Sequence, residues 1–217
     1  MKQLLIKEYK LTASLLTFLF LGFAAMTMIP GYPILVGVFF ICLGIFYTFQ
    51  FGREFNDVLY TALLPVAKKD VVKARFAFVI SIQMTGYLLC LILTLIRMSF
   101  LSEAQPYVNN ALMNANLFYL AGYFIIMSLY NTIFVAGFFK TAYYFGKPFI
   151  LFCVFCFLFI GIMETLHHIP GLEFLNTCGW NYVVIQGITL FVATVLYVLL
   201  TAIAIKKSIA HFEKTDL

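Results

Sequence analysis

The chain is predicted to be an all-α polytopic membrane protein with six transmembrane helices, from its composition, the lengths of its apolar runs and the placement of its basic residues. Hydrophobic residues make up 64% of the 217 and charged residues 11%, with a mean hydropathy of +1.01. A soluble domain carries about 25% charged residues, so an aqueous fold is excluded. A helix needs about 20 apolar residues to cross a ~30 Å hydrocarbon core, where backbone groups cannot be left unpaired. Six stretches meet or approach that length: about 11–29, 33–52, 76–96, 117–139, 148–163 and 183–205. The fifth is the shortest. With no internal repeat and no long polar segment, residues 1–217 read as a single transmembrane domain.

Each span has its own justification. Lys2, Lys7 and Lys10 precede the first run as they would a secretory signal. Its apolar segment exceeds a signal's hydrophobic region, however, and a second run starts after only Pro30, Gly31 and Tyr32, so it reads as a retained span. Before it, Leu5, Ile6 and Tyr9 fall on one side of a helical wheel and Gln3, Lys7 and Lys10 on another. That pattern predicts a short interfacial helix over residues 1–10. Basic residues resist translocation. Lys2, Lys7, Lys10, Arg53, Lys68, Lys69, Lys73, Arg75, Lys140, Lys147, Lys206, Lys207 and Lys214 fall on one side of a six-span layout, and Arg97 alone on the other. Both termini and the segment 53–75 are therefore expected in the cytoplasm. The net charge of +5 is accounted for by orientation in the lipid bilayer, and no nucleic-acid partner is expected.

Cys42, Cys90, Cys153 and Cys156 lie in predicted spans and Cys178 in an outer loop, which implies no disulfide framework. Cys153 and Cys156 form a C-x-x-C with no second pair to complete a zinc site, and they read as small packing residues.

The insert 53–75 carries its own periodicity. Phe55, Val58, Leu59, Ala62 and Leu63 recur at helical spacing, with Glu54, Asn56, Asp57 and Thr61 at polar positions. Pro65 ends such a helix, because its ring removes a donor and disfavours helical geometry at Leu64. Periodicity leaves three readings open: a helix on the membrane, a helix in a groove of a soluble protein, or a solvated loop.

The string from Leu63 to Arg75, LLPVAKKDVVKAR, resembles the L-P-V-x-[RK]-K-D-[IV]-V-x-[AG]-[RK] signature that follows the second span of ABC-2 type permeases. The small permeases of phenol-soluble modulin exporters are the most similar kind. The motif covers a dozen residues, and the six-span layout and short basic N-terminal segment agree over the rest. This resemblance implies an ABC-2, type V exporter-like architecture in a bacterial plasma membrane. It also implies a separate ABC ATPase subunit holding ATP and magnesium, and a second permease copy, identical or paralogous. By position, residues 54–64 would be the ATPase-docking helix, with Glu54, Phe55, Asp57, Val58, Leu59 and Leu63 in it. Pro65, Lys69, Asp70 and Lys73 would lead back to the bilayer.

The chain has no G-x-x-x-x-G-K-[ST] phosphate loop, so nucleotide chemistry would belong to the partner, and the chain itself is expected not to be an enzyme and to hold no cofactor. No span carries a central Asp, Glu or Lys of the kind that marks ion-coupled carriers. The 26 Phe and 13 Tyr suit a path for a hydrophobic or amphipathic cargo, such as a peptide. Asn131 in the fourth span is a candidate path residue, although a packing role is favoured. Glu164 is followed at three and four residues by His167 and His168, a spacing that would share one helical face. Two readings follow: an intramembrane metalloenzyme built on these three residues, or an interfacial cap marked by Pro170, Gly171, Trp180 and Tyr182. In the permeases that this chain resembles, this stretch commonly folds back as short re-entrant helices, which would place Glu164 at an outer gate. Export with a partner ATPase is the leading expectation, and the metalloenzyme or a membrane scaffold or immunity protein the alternatives.

Overall fold

A computed structural model describes residues 2–62 and 65–214, and for Lys2, Val58, Leu59 and Ala62 the backbone alone. Among the described residues the fold is helical, without strands. Helix α1 (Lys2–Lys7) continues as a π-helical turn over Glu8–Thr12, and α2 (Leu15–Leu19) as a 3-10 helix over Phe20–Met28. The two rods meet at 91°. Ser14 makes this corner: its hydroxyl accepts from the Leu16 amide at 3.1 Å, capping the new helix. The second rod therefore begins at Leu15, four residues after the start of the first apolar run. Five α-helical and nine 3-10 residues rise about 25 Å, because the tighter 3-10 helix gains more length per residue.

The remaining elements are α3 (Leu35–Glu54), α4 (Asp57–Ala62), α5 (Lys68–Phe100), α6 (Gln105–Val108), α7 (Leu117–Leu129), α8 (Ala136–Phe139), α9 (Gly146–Leu166) and α10 (Val183–Glu213). A π-helical segment, Tyr130–Val135, joins α7 to α8 as one rod, Leu117–Phe139. Five of these rods are long and apolar enough to cross a membrane, or six when the bent first pair is counted as one. The α7–α8 rod is central, with 78% of its apolar window buried, against 22% for α9 and for α10. The outer faces of α9 and α10 present Ile150, Phe155, Leu158, Val184, Phe191 and Leu199, as lipid-facing helices do. At 33 residues, α5 rises about 50 Å, so Lys68 to Arg75 are its first two turns and stand beyond a ~30 Å core.

Glycine sets how closely the first span rides on α3. A Cβ on Gly44 would lie 2.6 Å from the Phe20 Cβ and 3.3 Å from the Thr17 carbonyl oxygen. The Thr17 hydroxyl uses this approach, donating to the Gly44 carbonyl at 2.8 Å and pairing with the Thr48 hydroxyl at 2.7 Å. Small residues bring helices together in lipid, where apolar surface alone gives no preference for protein over acyl chain. Replacing Gly44 by leucine is expected to lower stability by about 1–3 kcal/mol through overpacking. Denaturant unfolding in mixed micelles would show it, and an unchanged midpoint would contradict the close contact.

At the end opposite α4, Arg97 ties the loops together. Its guanidinium donates to the Thr27 carbonyl at 2.7 Å and to Asn114 Oδ1 at 2.8 Å, and lies 4.3 Å from the Tyr107 ring centroid. The stretch after α9 holds one short 3-10 helix, Glu173–Asn176, stitched to the loop before α7. Asn116 Nδ2 donates to the Leu175 carbonyl at 2.8 Å, and the Asn114 amide to Asn176 Oδ1 at 2.6 Å.

Candidate coupling site

Helix α4 exists because the chain must reverse after α3. Asn56 adopts φ +51°, a left-handed conformation that asparagine tolerates better than most residues, and this stops α3 and starts the turn. The Tyr60 amide then donates to the Asn56 carbonyl at 2.9 Å, and Asp57 stands in the first turn of α4, where an acid suits the exposed amides.

Asp57 points inward. One oxygen lies 2.7 Å from Lys7 Nζ, and the other accepts from Arg75 Nη2 at 2.6 Å. Arg75 Nε lies 2.8 Å from Glu8 Oε2, an ion pair without in-line hydrogen-bond geometry, and Glu8 Oε1 lies 3.4 Å from Lys7 Nζ. Lys7, Glu8, Arg75 and Asp57 thus close a ring of alternating charge, two cations and two anions, joining α1, α4 and α5. The ring is dry: side-chain exposure is 2% for Glu8, 4% for Arg75, 11% for Asp57 and 12% for Lys7. Thr61, fully buried, extends it by accepting from Lys7 Nζ at 2.7 Å and donating to the Asp57 carbonyl at 2.7 Å. The Phe49 ring covers the Arg75 guanidinium at 5.3 Å.

The opposite face of α4 and the turn that precedes it are open. Phe55 is 74% exposed and Tyr60 62%, with Glu54 and Asn56 also exposed and Glu54 accepting from Gln50 Nε2 at 3.2 Å. Among the expected docking residues, Phe55 and Glu54 are thus on the surface, whereas Asp57 is an internal tether. Val58 and Leu59 are in α4 by backbone, and Leu63 lies outside the described residues. Pro65 is exposed before α5, and Lys69, Asp70 and Lys73 lie in the first two turns of α5, with both lysines exposed. Lys7, Glu8, Arg75 and Tyr60 were not singled out from the sequence. The only sequence sign of the ring is Glu8, one acid within an otherwise basic N-terminal segment.

Helix α1 is held by more than the ring. Leu4, Glu8 and Thr12, four residues apart, form its buried stripe, the Tyr9 hydroxyl bonds that of Ser81, and the Tyr9 ring meets Phe78 edge-on at 5.0 Å. Ile6, Leu11 and part of Tyr9 stay exposed, so the outward face is apolar and the inward face carries the acid.

Asn131 is fully buried in the π-helical segment. Its amide pairs reciprocally with Gln83, accepting from Nε2 at 2.9 Å and donating to Oε1 at 3.2 Å, and it donates to Thr201 Oγ1 at 3.0 Å. Tyr197 donates to Gln83 Oε1 at 2.8 Å, and Tyr123 to the Gln83 carbonyl at 2.6 Å. This satisfied network pins α5, the π-helical segment and α10 together. Glu164 accepts from the Met113 amide at 2.8 Å through Oε2, while its buried Oε1 has no partner. His167 Nε2 lies 3.2 Å from the Ala111 carbonyl, and burial holds its imidazole below the ordinary value. Helix α9 ends at Leu166, so the two histidines fall in the following turn, their rings 4.1 Å apart. Among the described residues no three His, Cys, Asp or Glu side chains converge as a metal site.

A bundle of apolar rods with a short tethered helix at one end defines a multi-pass helical membrane protein. The family model described as "ABC-2 family transporter protein" matches residues 3–213, and the chain belongs to that family. Its members are membrane subunits of transporters, and membership implies an ABC ATPase partner. No curated protein and no solved structure matches the chain.

Proposed function

We propose that this chain is the permease of an ATP-driven exporter, and that α4 is the element through which a separate ATPase moves it. The observation that carries this reading is the two-sided helix α4. Tyr60 on one face, with Phe55 in the turn just before the helix, points outward, and the other face is bound through Asp57 to α1 and α5. A short helix without such ties would slide under load, whereas this one passes displacement to two rods. With 13 of 14 basic residues at its end of the bundle, α4 faces the cytoplasm, as do both termini. The bacterial plasma membrane is the proposed setting, with ATP and magnesium bound by the partner. The Leu63 to Arg75 string supports kinship with the phenol-soluble modulin exporters. The aromatic interior suits a hydrophobic or amphipathic cargo, such as a peptide, and a second copy or a paralogue completes the path.

Co-purification in nanodiscs with the ATPase encoded beside its gene tests the proposal. The expected result is a complex of two permeases and two ATPases with stimulated hydrolysis. Recovery of the permease alone under gentle conditions would overturn it. The metalloenzyme reading makes a separate prediction. Because Glu164 and His167 bond backbone groups, Glu164→Gln with His167→Ala and His168→Ala is expected to retain transport in a vesicle efflux assay. Complete loss in a normally folded triple variant would revive the enzyme.

A further inference from the structure

Besides α4, its end of the bundle holds a cavity of about 660 Å³, within the roughly 300–1,000 Å³ of small-molecule sites. Its polar rim carries Arg53 from the end of α3, Lys140 from just beyond α8, and Lys147 from the first turn of α9. Its wall is apolar, with Ile133, Phe145, Pro148 and Leu151. Among the described residues no carboxylate lines it.

The cations are unspent. Among the described residues none of the three forms a salt bridge or a side-chain hydrogen bond, in contrast to Lys7 and Arg75 nearby. Arg53 also meets two rings: its guanidinium carbon lies 5.2 Å from the Tyr143 ring centroid and 4.8 Å from that of Phe145. Aromatic contacts occupy guanidinium faces and leave the in-plane N–H donors for an acceptor with several oxygens, a geometry that phosphate satisfies. Three uncompensated positive charges over an apolar wall call for a ligand with one anionic end and one hydrocarbon end. Leu151 is 48% exposed and its neighbour Ile150 66%, on the outward face of α9, so the cavity's apolar side opens toward acyl chains.

We propose that this cavity binds the phosphate headgroup of an anionic phospholipid of the adjoining leaflet, with Arg53, Lys140 and Lys147 holding the phosphate and Leu151 meeting the acyl chain. Such a site is separate from the ATPase surface of α4, and binding there requires no ATPase, so its test stands apart from that of the export proposal. Basic pockets between transmembrane helices at the cytoplasmic side hold anionic headgroups by the same physics.

The test is lipid retention. The protein is reconstituted in nanodiscs of phosphatidylcholine containing a minor fraction of phosphatidylglycerol, and bound lipid is measured by native mass spectrometry after mild extraction. Wild type is expected to retain phosphatidylglycerol selectively, and Arg53→Gln, Lys140→Gln and Lys147→Gln each to weaken retention roughly fivefold. Lys206→Gln with Lys207→Gln, which removes two exposed charges at the same end but outside the cavity, is expected to change retention little. Equal loss in that control would mean general surface attraction and would overturn the site. A third arm adds glycerol phosphate as a soluble competitor. If it displaces the lipid at comparable concentration and Leu151→Asp has no effect, the cavity is a free-phosphate site and the lipid assignment fails. Thermal unfolding of each variant, expected to match wild type, separates lost binding from lost fold.

Discussion

Replacing Arg75 by glutamine is expected to destabilise the protein by about 3–5 kcal/mol, because it strips one of the two shared cations from two carboxylates that are largely buried. Glu8 would retain only Lys7, at 3.4 Å, and Asp57 only Lys7, at 2.7 Å. One ammonium cannot replace a guanidinium that meets two acids on different helices. The expected signature is a lower unfolding midpoint in detergent together with ATP hydrolysis that no longer tracks transport, since α4 would be released from α5. A double-mutant cycle is the sharper measurement. Glu8→Gln combined with Arg75→Gln should fall short of the summed single losses by about 1–3 kcal/mol, as partners in one network do. Additivity within about 0.5 kcal/mol would show that the four charges do not act as a unit.

The second large effect lies on the exposed side of α4 and of the turn before it. Changing Phe55 and Tyr60 together to glutamate is expected to abolish recovery of the ATPase complex while leaving the unfolding midpoint near that of wild type. Both side chains are more than half exposed, so their loss leaves the core intact, and exposed substitutions typically change stability by no more than about 0.5 kcal/mol. Aromatic anchors at an interface contribute about 2 kcal/mol or more each, or roughly thirtyfold in affinity per residue. Pull-down with the purified ATPase, read beside the melting curve, distinguishes docking from folding. An undiminished complex would move the contact surface away from α4.

These two residue sets differ in how far the sequence reveals them. The short helix was partly legible: helical spacing from Phe55 and a stop at Pro65 predict one over residues 54–64, and the structure has α4 over Asp57–Ala62. The tether was not. Lys7 and Arg75 entered the sequence argument as charges that set orientation, and a linear tally cannot show that α1, α4 and α5 bring them to the same two carboxylates. Hydropathy likewise placed the first span near residue 11, because an apolar sum registers Leu11 and not the Ser14 cap. The 3-10 winding after Leu19 then lets a shorter segment cover the distance. At Glu164 the helical spacing was present, but α9 ends two residues after it, so the histidines fall in the following turn. Asn131 was recognised as a polar residue in a span, yet its partners Gln83 and Thr201 come from rods far apart in sequence.

The charge ring also governs where this protein can be labelled. Because Lys7 and Glu8 share one junction with Asp57 and Arg75, the N-terminal helix is mechanically part of the α4 assembly. A bulky fusion at the N-terminus would load that assembly and damp its displacement. A small fluorophore on residue 3, in contrast, would report any displacement of α4 without a probe on the surface proposed for docking.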